Sequence, residues 1–151
     1  MIRQILLATT MSAAMALPAF AFDMIDKVSP YSVTVTMDRL SAAVEGAGAT
    51  IFARIDHAAG AANVDMDLRP TEVLIFGNPK LGTPAMLDGQ TAGLDLPLRV
   101  LAYADGEGLV HLTYHDPAAL AAAHGLPEDA KYIEMMSGAL GKLTDKAVAE
   151  E

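Results

Sequence analysis

The run Val73-Leu74-Ile75-Phe76, closed by Gly77-Asn78-Pro79, constrains the fold more than any other stretch of this chain. A strand with one face in water alternates apolar and polar residues, whereas a run without alternation asks for cover on both faces. Thr71 to Phe76 is therefore predicted as a central strand of a sheet, buried on both sides. Gly77-Asn78-Pro79 ends it, and a helix follows within 79–89, where Gly82 and Pro84 blur the start.

Other elements follow from local pattern. Tyr31 to Val35 is β-branched and alternating, which predicts a first strand. Thr36 then caps a helix over 37–47 that buries Leu40, Ala43, Val44 and Ala47 and stops at Gly48. Ala49 to Ile55 reads as a strand, 57–64 as a short Ala-rich helix, and 97–104 and 108–115 as a hairpin around Asp105-Gly106-Glu107. Helices are predicted over 117–124 and 128–147, the second with Leu126, Ala130, Ile133, Met136, Leu140, Leu143 and Ala147 near one stripe. In the hairpin, a three-residue loop opposes Val100 to Leu112 and Leu98 to Tyr114, joining two apolar faces; a two-residue loop splits them. The three-residue register is favoured, with Arg99 opposite Thr113 and His111 and His115 diagonal to it. Five strands and about five helices in this order predict an α+β fold. Its architecture is a two-layer sandwich, one mixed or antiparallel sheet of about five strands with helices packed on it.

The N-terminus carries a different signal. Arg3 precedes an apolar run from Ile5 to Leu17, and Ala19 and Ala21 form a small-x-small cleavage pattern. The run is shorter than the ~20 residues of a spanning helix. Residues 1–21 are read as a signal peptide cleaved after Ala21, residues 22–29 as a flexible leader, and 30–148 as one domain. The chain is thus expected in the periplasm or secreted, with no membrane anchor after cleavage. The formal net charge is −9, and loss of Arg3 makes it more negative still. Such a surface repels phosphate backbones, which excludes nucleic acid as a natural partner. Cysteine is absent, so stability rests on packing and thiol chemistry is excluded.

Three junctions share one design: a strand runs into Asp56, Asn78 or Asp116, each followed by a helix. These side chains either cap helix N-termini or gather at one sheet edge as a polar-ligand site. His57 opens a helix, where an imidazole is held neutral. It is a candidate base with Asp56, a metal ligand, or a bystander. Arg54, Arg69 and Arg99 are scarce cations in an acidic chain and serve either salt bridges or an anionic ligand. His111 and His115 share a strand face but lie ~13 Å apart along it, a poor fit to one ion. No HxH or HExxH pattern occurs, and the methionines read as core filler more readily than as copper ligands. His57, His111 and His115 are weak metal candidates, and no cofactor is indicated. No nucleophile elbow, phosphate loop or dinucleotide fingerprint is present.

Longer motifs carry a resemblance. Phe52 to His57 (FARIDH), Leu68 to Met86 (LRPTEVLIFGNPKLGTPAM), Gly93 to Arg99 (GLDLPLR) and Tyr114 to Pro117 (YHDP) resemble the bacterial domain-of-unknown-function family 302 over about residues 30–145. The resemblance implies a compact two-layer α+β fold and a homodimer, with no assigned chemistry. Its motif positions here are Arg54, Asp56, His57, Arg69, Gly77, Asn78, Pro79, Thr83, Asp95 and Asp116. The chain departs from the motif at Ala85 and His115.

Three functions compete on this reading. The first is non-catalytic binding of a small polar or amphipathic ligand where Asp56-His57 and Gly77-Asn78-Pro79 meet, with Arg54, Arg69, Thr83 and Arg99 as further contacts. The second is a dimeric structural or interaction module. The third is a small enzyme with His57 as base, Asp56 orienting it, and Arg54 or Arg99 holding an anion.

Overall fold

The computed structural model describes residues 24–150; the signal peptide expected over 1–21 lies outside them. The element order is β1 (Met24–Ser29), α1 (Val33–Gly46), β2 (Thr50–Asp56), α2 (His57–Ala62), β3 (Thr71–Gly77), α3 (Pro79–Asp88), a 3-10 turn (Gln90–Leu94), β4 (Leu98–Ala104), β5 (Val110–His115), α4 (Ala118–His124) and α5 (Lys131–Val148). The strands form one sheet in the order β1-β5-β4-β3-β2. Every pairing is antiparallel. The fold is α+β, with α1 and α5 packed on the sheet as a two-layer sandwich.

Two predicted boundaries at the start are overturned. The leader assigned to 22–29 contains β1, which pairs along its whole length with β5. The strand predicted over Tyr31–Val35 is instead the first turn of α1, capped by Ser32 rather than Thr36, since the Ser32 hydroxyl accepts from the Val35 amide. Packing decides this. As a helix, the segment sets Val33, Thr36, Met37, Leu40 and Val44 on one buried stripe. Thr36 and Ser29 then bond through their hydroxyls at 2.7 Å, tying α1 to β1.

The hairpin register is also corrected. Ala102 opposes Leu112, Leu101 opposes Thr113 and Ala104 opposes Val110. The connection is therefore 105–109, two residues longer than predicted. The Asp105 carboxylate accepts from the Glu107 and Leu109 amides, and Gly108 takes φ +85° within the loop. A shift of two preserves the pleat, so both apolar faces still meet. Arg99 moves away from Thr113, which faces Leu101, and lines a cleft with His115.

The main core lies between the sheet and α1 and α5, with Leu40, Leu74, Phe76, Val100, Leu112 and Leu140 among its buried residues. A second cluster joins α3, the 3-10 turn, α4 and the start of α5 through Ala85, Ala92, Leu120, Leu126, Ile133 and Met136. β3 is interior, as predicted, but only one of its faces is fully buried. Glu72, Leu74 and Phe76 are covered, while Val73 and Ile75 on the other side are half-exposed. The expectation of cover on both faces is not met within one copy of the chain.

Candidate functional site

Asp56 and Asn78 cap α2 and α3, while Asp116 accepts from an amide at the start of α4, whose N-cap is Pro117. Asp56 accepts from the Ala59 amide, Asn78 from Lys80 and Asp116 from Ala118, at 2.9, 3.0 and 2.9 Å. They do not gather at one edge. β2 runs antiparallel to β3, with Asp56 opposite Glu72 and Thr50 opposite Gly77. Asp56-His57 and Gly77-Asn78 thus lie at opposite ends of the sheet, separated by roughly 20 Å. The predicted site combining them is not formed.

The remaining predicted residues are dispersed. His57 is exposed and has no hydrogen bond or ion pair among the described residues. Arg54 faces the core side, where its Nε donates to Glu72 at 2.7 Å and its Nη1 to Asp38. Burial works against its charge, but the two carboxylates outweigh this and raise its pKa. Arg69 donates to the Ala104 carbonyl and fastens the loop before β3 to the hairpin. With Asp56 turned onto Ala59 and Arg54 engaged with Glu72, the catalytic arrangement drawn around His57 is not assembled. No group of three or more His, Cys, Asp or Glu among the described residues is placed to hold a metal ion. His111 is committed elsewhere: its Nδ1 is 2.8 Å from Asp26 and its Nε2 3.3 Å from Asp105. Hydrogen bonds to those two carboxylates raise its pKa.

Gly77, Asn78 and Thr83 are brought together. They line a cavity of about 290 Å³ whose walls include Phe52, Leu81, Met86, Leu96, Leu98 and Met136. A bulge in β2 between Ile51 and Ala53 sets Phe52 apart from the regular pairing. Gly77 is closely approached: a Cβ there would meet the Pro97 Cβ at 3.3 Å, a tight contact, and the Phe52 ring at 3.6 Å. Pro79 starts α3 with its N-cap at Asn78. The Asn78 Oδ1 is used by the cap, which leaves its amide protons free to donate. The Thr83 hydroxyl has no partner among the described residues. No charged side chain lines the cavity.

Arg99 borders a separate cleft of about 320 Å³ with Asp95, Leu101, Val73 and His115. Asp95 accepts from Arg99 at 3.0 Å and contacts the His124 Nε2 at 2.7 Å, while the His124 Nδ1 lies 3.0 Å from the Thr91 hydroxyl. The sequence reading passed over this Thr91-His124-Asp95-Arg99 chain and the cavity walls Phe52, Leu96 and Met136. Phe52 was legible within its motif. Met136 reads only as a core position of α5.

Two curated relatives are 45% identical over 124 residues, covering 81% of this chain: Fluoride-specific ion channel FluC 1 of Brucella suis biovar 1 and of Brucella abortus biovar 1. The match takes in 48% and 46% of those proteins, so the chain spans about half the length of the relatives it matches. Among the described residues, no helix is long and apolar enough to cross a membrane. A crystal structure of an uncharacterized conserved DUF302 protein from Bacillus stearothermophilus superposes with a TM-score of 0.75 at 16% identity, covering 84% of this chain and 99% of that one. That likeness supports the fold. The family described as domain of unknown function DUF302 matches residues 25–143, nearly all of the described residues, and the chain belongs to it.

Proposed function

We propose that this chain is a non-catalytic binding protein, acting outside the cytoplasm, for a neutral amphipathic small molecule. The observation that carries the reading is the cavity of about 290 Å³: apolar walls, no charged lining, and two uncommitted donors at Asn78 and Thr83. An unpaired charge is costly in such surroundings, so the buried part of the ligand is uncharged. A cavity of ~150 Å³ holds benzene, so this one suits an apolar body of about eleven non-hydrogen atoms bearing one carbonyl or hydroxyl.

The test uses 1-naphthol, a neutral fluorescent alcohol of that size, with native mass spectrometry of the purified protein for any co-purified adduct. At roughly 0.5 kcal/mol per atom the probe binds with Kd of about 0.1 mM. Thr83→Val keeps the shape and removes the hydroxyl, which weakens binding about three- to tenfold with an unchanged melting curve. Absence of saturable binding, together with no adduct, rejects the reading.

A further inference from the structure

Arg99 is the cation of the sequence motifs that the fold leaves largely uncommitted. Arg54 is engaged by two carboxylates and Arg69 by a carbonyl. Arg99 gives one hydrogen bond, from Nη2 to Asp95 at 3.0 Å, and its side chain is 48% exposed. A guanidinium carries five N–H groups, so most of its donors have no partner among the described residues. It stands over the cleft of about 320 Å³ on the sheet face opposite α1 and α5. Pairing sets Val73, Leu101 and Thr113 side by side as an apolar floor. The Thr113 hydroxyl donates its proton to the Ile25 carbonyl. His115, where the chain departs from the family motif, and Met24 complete the wall.

We infer that this cleft is a second binding site, separate from the neutral cavity, for a small monocarboxylate with a flat apolar body. The carboxylate sits on the open N–H edge of Arg99, and the body lies on Val73 and Leu101. A planar carboxylate accepts two parallel N–H groups from a guanidinium. A phosphate dianion asks for further cations, and no lysine or second arginine lines the cleft. A cavity of ~150 Å³ holds benzene, so this cleft suits two fused rings.

The surrounding carboxylates limit the ligand to one negative charge without closing the site. Asp95 lines the cleft, but it is shared: Oδ1 accepts from Arg99 and Oδ2 lies 2.7 Å from the His124 Nε2. Asp116, next to His115, accepts from the Ala118 amide and the Ser137 hydroxyl. Asp26 stands two strands from Arg99 and one row along, ~12 Å by sheet spacing and beyond the ~8 Å screening length of physiological salt. Asp105 lies past the far end of β4, ~20 Å from Arg99. Asp26 and Asp105 are both engaged by His111.

The experiment is calorimetric titration of the full chain with 2-naphthoate and with 2-naphthalenemethanol, its neutral counterpart, alongside the assigned 1H–15N signals of the arginine Nε–H groups. 2-Naphthoate is expected to bind saturably with Kd of about 0.1–1 mM and to move the Arg99 Nε–H signal. Arg99→Gln weakens it by about tenfold or more, leaves the alcohol unaffected, and keeps the melting curve, since an exposed ion pair contributes little. Arg99→Lys keeps the charge, loses the paired N–H edge and also weakens 2-naphthoate. Gly82→Leu, which fills the neutral cavity, leaves 2-naphthoate binding as in the wild type, so the two sites succeed or fail separately. No saturable 2-naphthoate binding overturns the inference, as does binding undiminished in Arg99→Gln or abolished by Gly82→Leu alone. Should Arg99→Gln not fold, the wild-type spectrum decides: an Arg99 Nε–H signal unmoved at saturation overturns the inference.

Discussion

Gly82→Leu separates the cavity's role from the fold's. Gly82 sits in the first turns of α3 and lines the cavity. A Cβ built there meets only the Leu96 Cδ1, at 3.9 Å, an ordinary contact. The added side chain therefore enters the space assigned to the ligand. Two terms favour the folded variant. Replacing glycine within a helix contributes about 0.8–1 kcal/mol, and partial burial of a leucine contributes about 1 kcal/mol more. Imperfect fit subtracts from this, leaving a net gain of about 1–2 kcal/mol. For a domain of this size that corresponds to a rise in Tm of roughly 3–8 °C. Binding moves the other way: with its space filled, 1-naphthol loses at least tenfold in affinity. Differential scanning fluorimetry and fluorescence titration on one sample give both numbers. Higher Tm with undiminished binding refutes this cavity as the site. Lower Tm refutes the claim that the space is free.

Two other substitutions test the electrostatics. Glu72 is nearly buried and is engaged by Arg54 and the Thr34 hydroxyl. Arg54 keeps partial access to water and to Asp38, so Glu72→Gln costs about 2–3 kcal/mol in urea unfolding, below the full range for a buried pair. Glu72→Leu/Arg54→Met recovers part of that loss, and a double variant worse than the single one contradicts the assignment. The His111 clamp joins Asp26 on β1, Asp105 in the hairpin loop and the stacked Tyr103 ring. Because its folded pKa is raised, its contribution is complete below the unfolded value of ~6.5 and is lost as pH rises through the folded value. The stability gap between wild type and His111→Gln is therefore widest near pH 5.5 and narrows toward pH 8.5; a gap that widens with pH contradicts the clamp.

Much of the fold was legible because caps and apolar periodicity agree locally. Asp56, Asn78 and Asp116 mark three helix starts, and the α5 stripe from Ile133 to Ala147 is buried as its spacing implies. The Val33 to Thr36 segment misled, because β-branched residues favour strands. Their helix penalty is only a few tenths of a kcal/mol each, less than the burial of Val33, Thr36 and Met37 returns. The hairpin faces were legible and the loop length was not. A shift of two residues changes no face, and the longer loop depends on where the Asp105 carboxylate finds its amides. The site was least legible. Whether Asp56 and Asn78 share an edge depends on the relative direction of β2 and β3, which neither strand encodes alone. Phe52, Leu96 and Met136 meet only through tertiary packing.

β1 pairs with β5, the first strand with the last. Lys27 reaches Gly141, Thr144 and Asp145 on α5, the Tyr31 hydroxyl donates to the Ala149 carbonyl, and Arg39 donates to Ala147 and Ala149. Contacts at such sequence separation carry a large loop-closure cost and slow the folding search. β1 has no strand partner until the late β5 is available, and α1, which also packs on β2 and β3, gains its α5 contacts only then. A chain lacking α5 leaves β1 and α1 without these closing contacts.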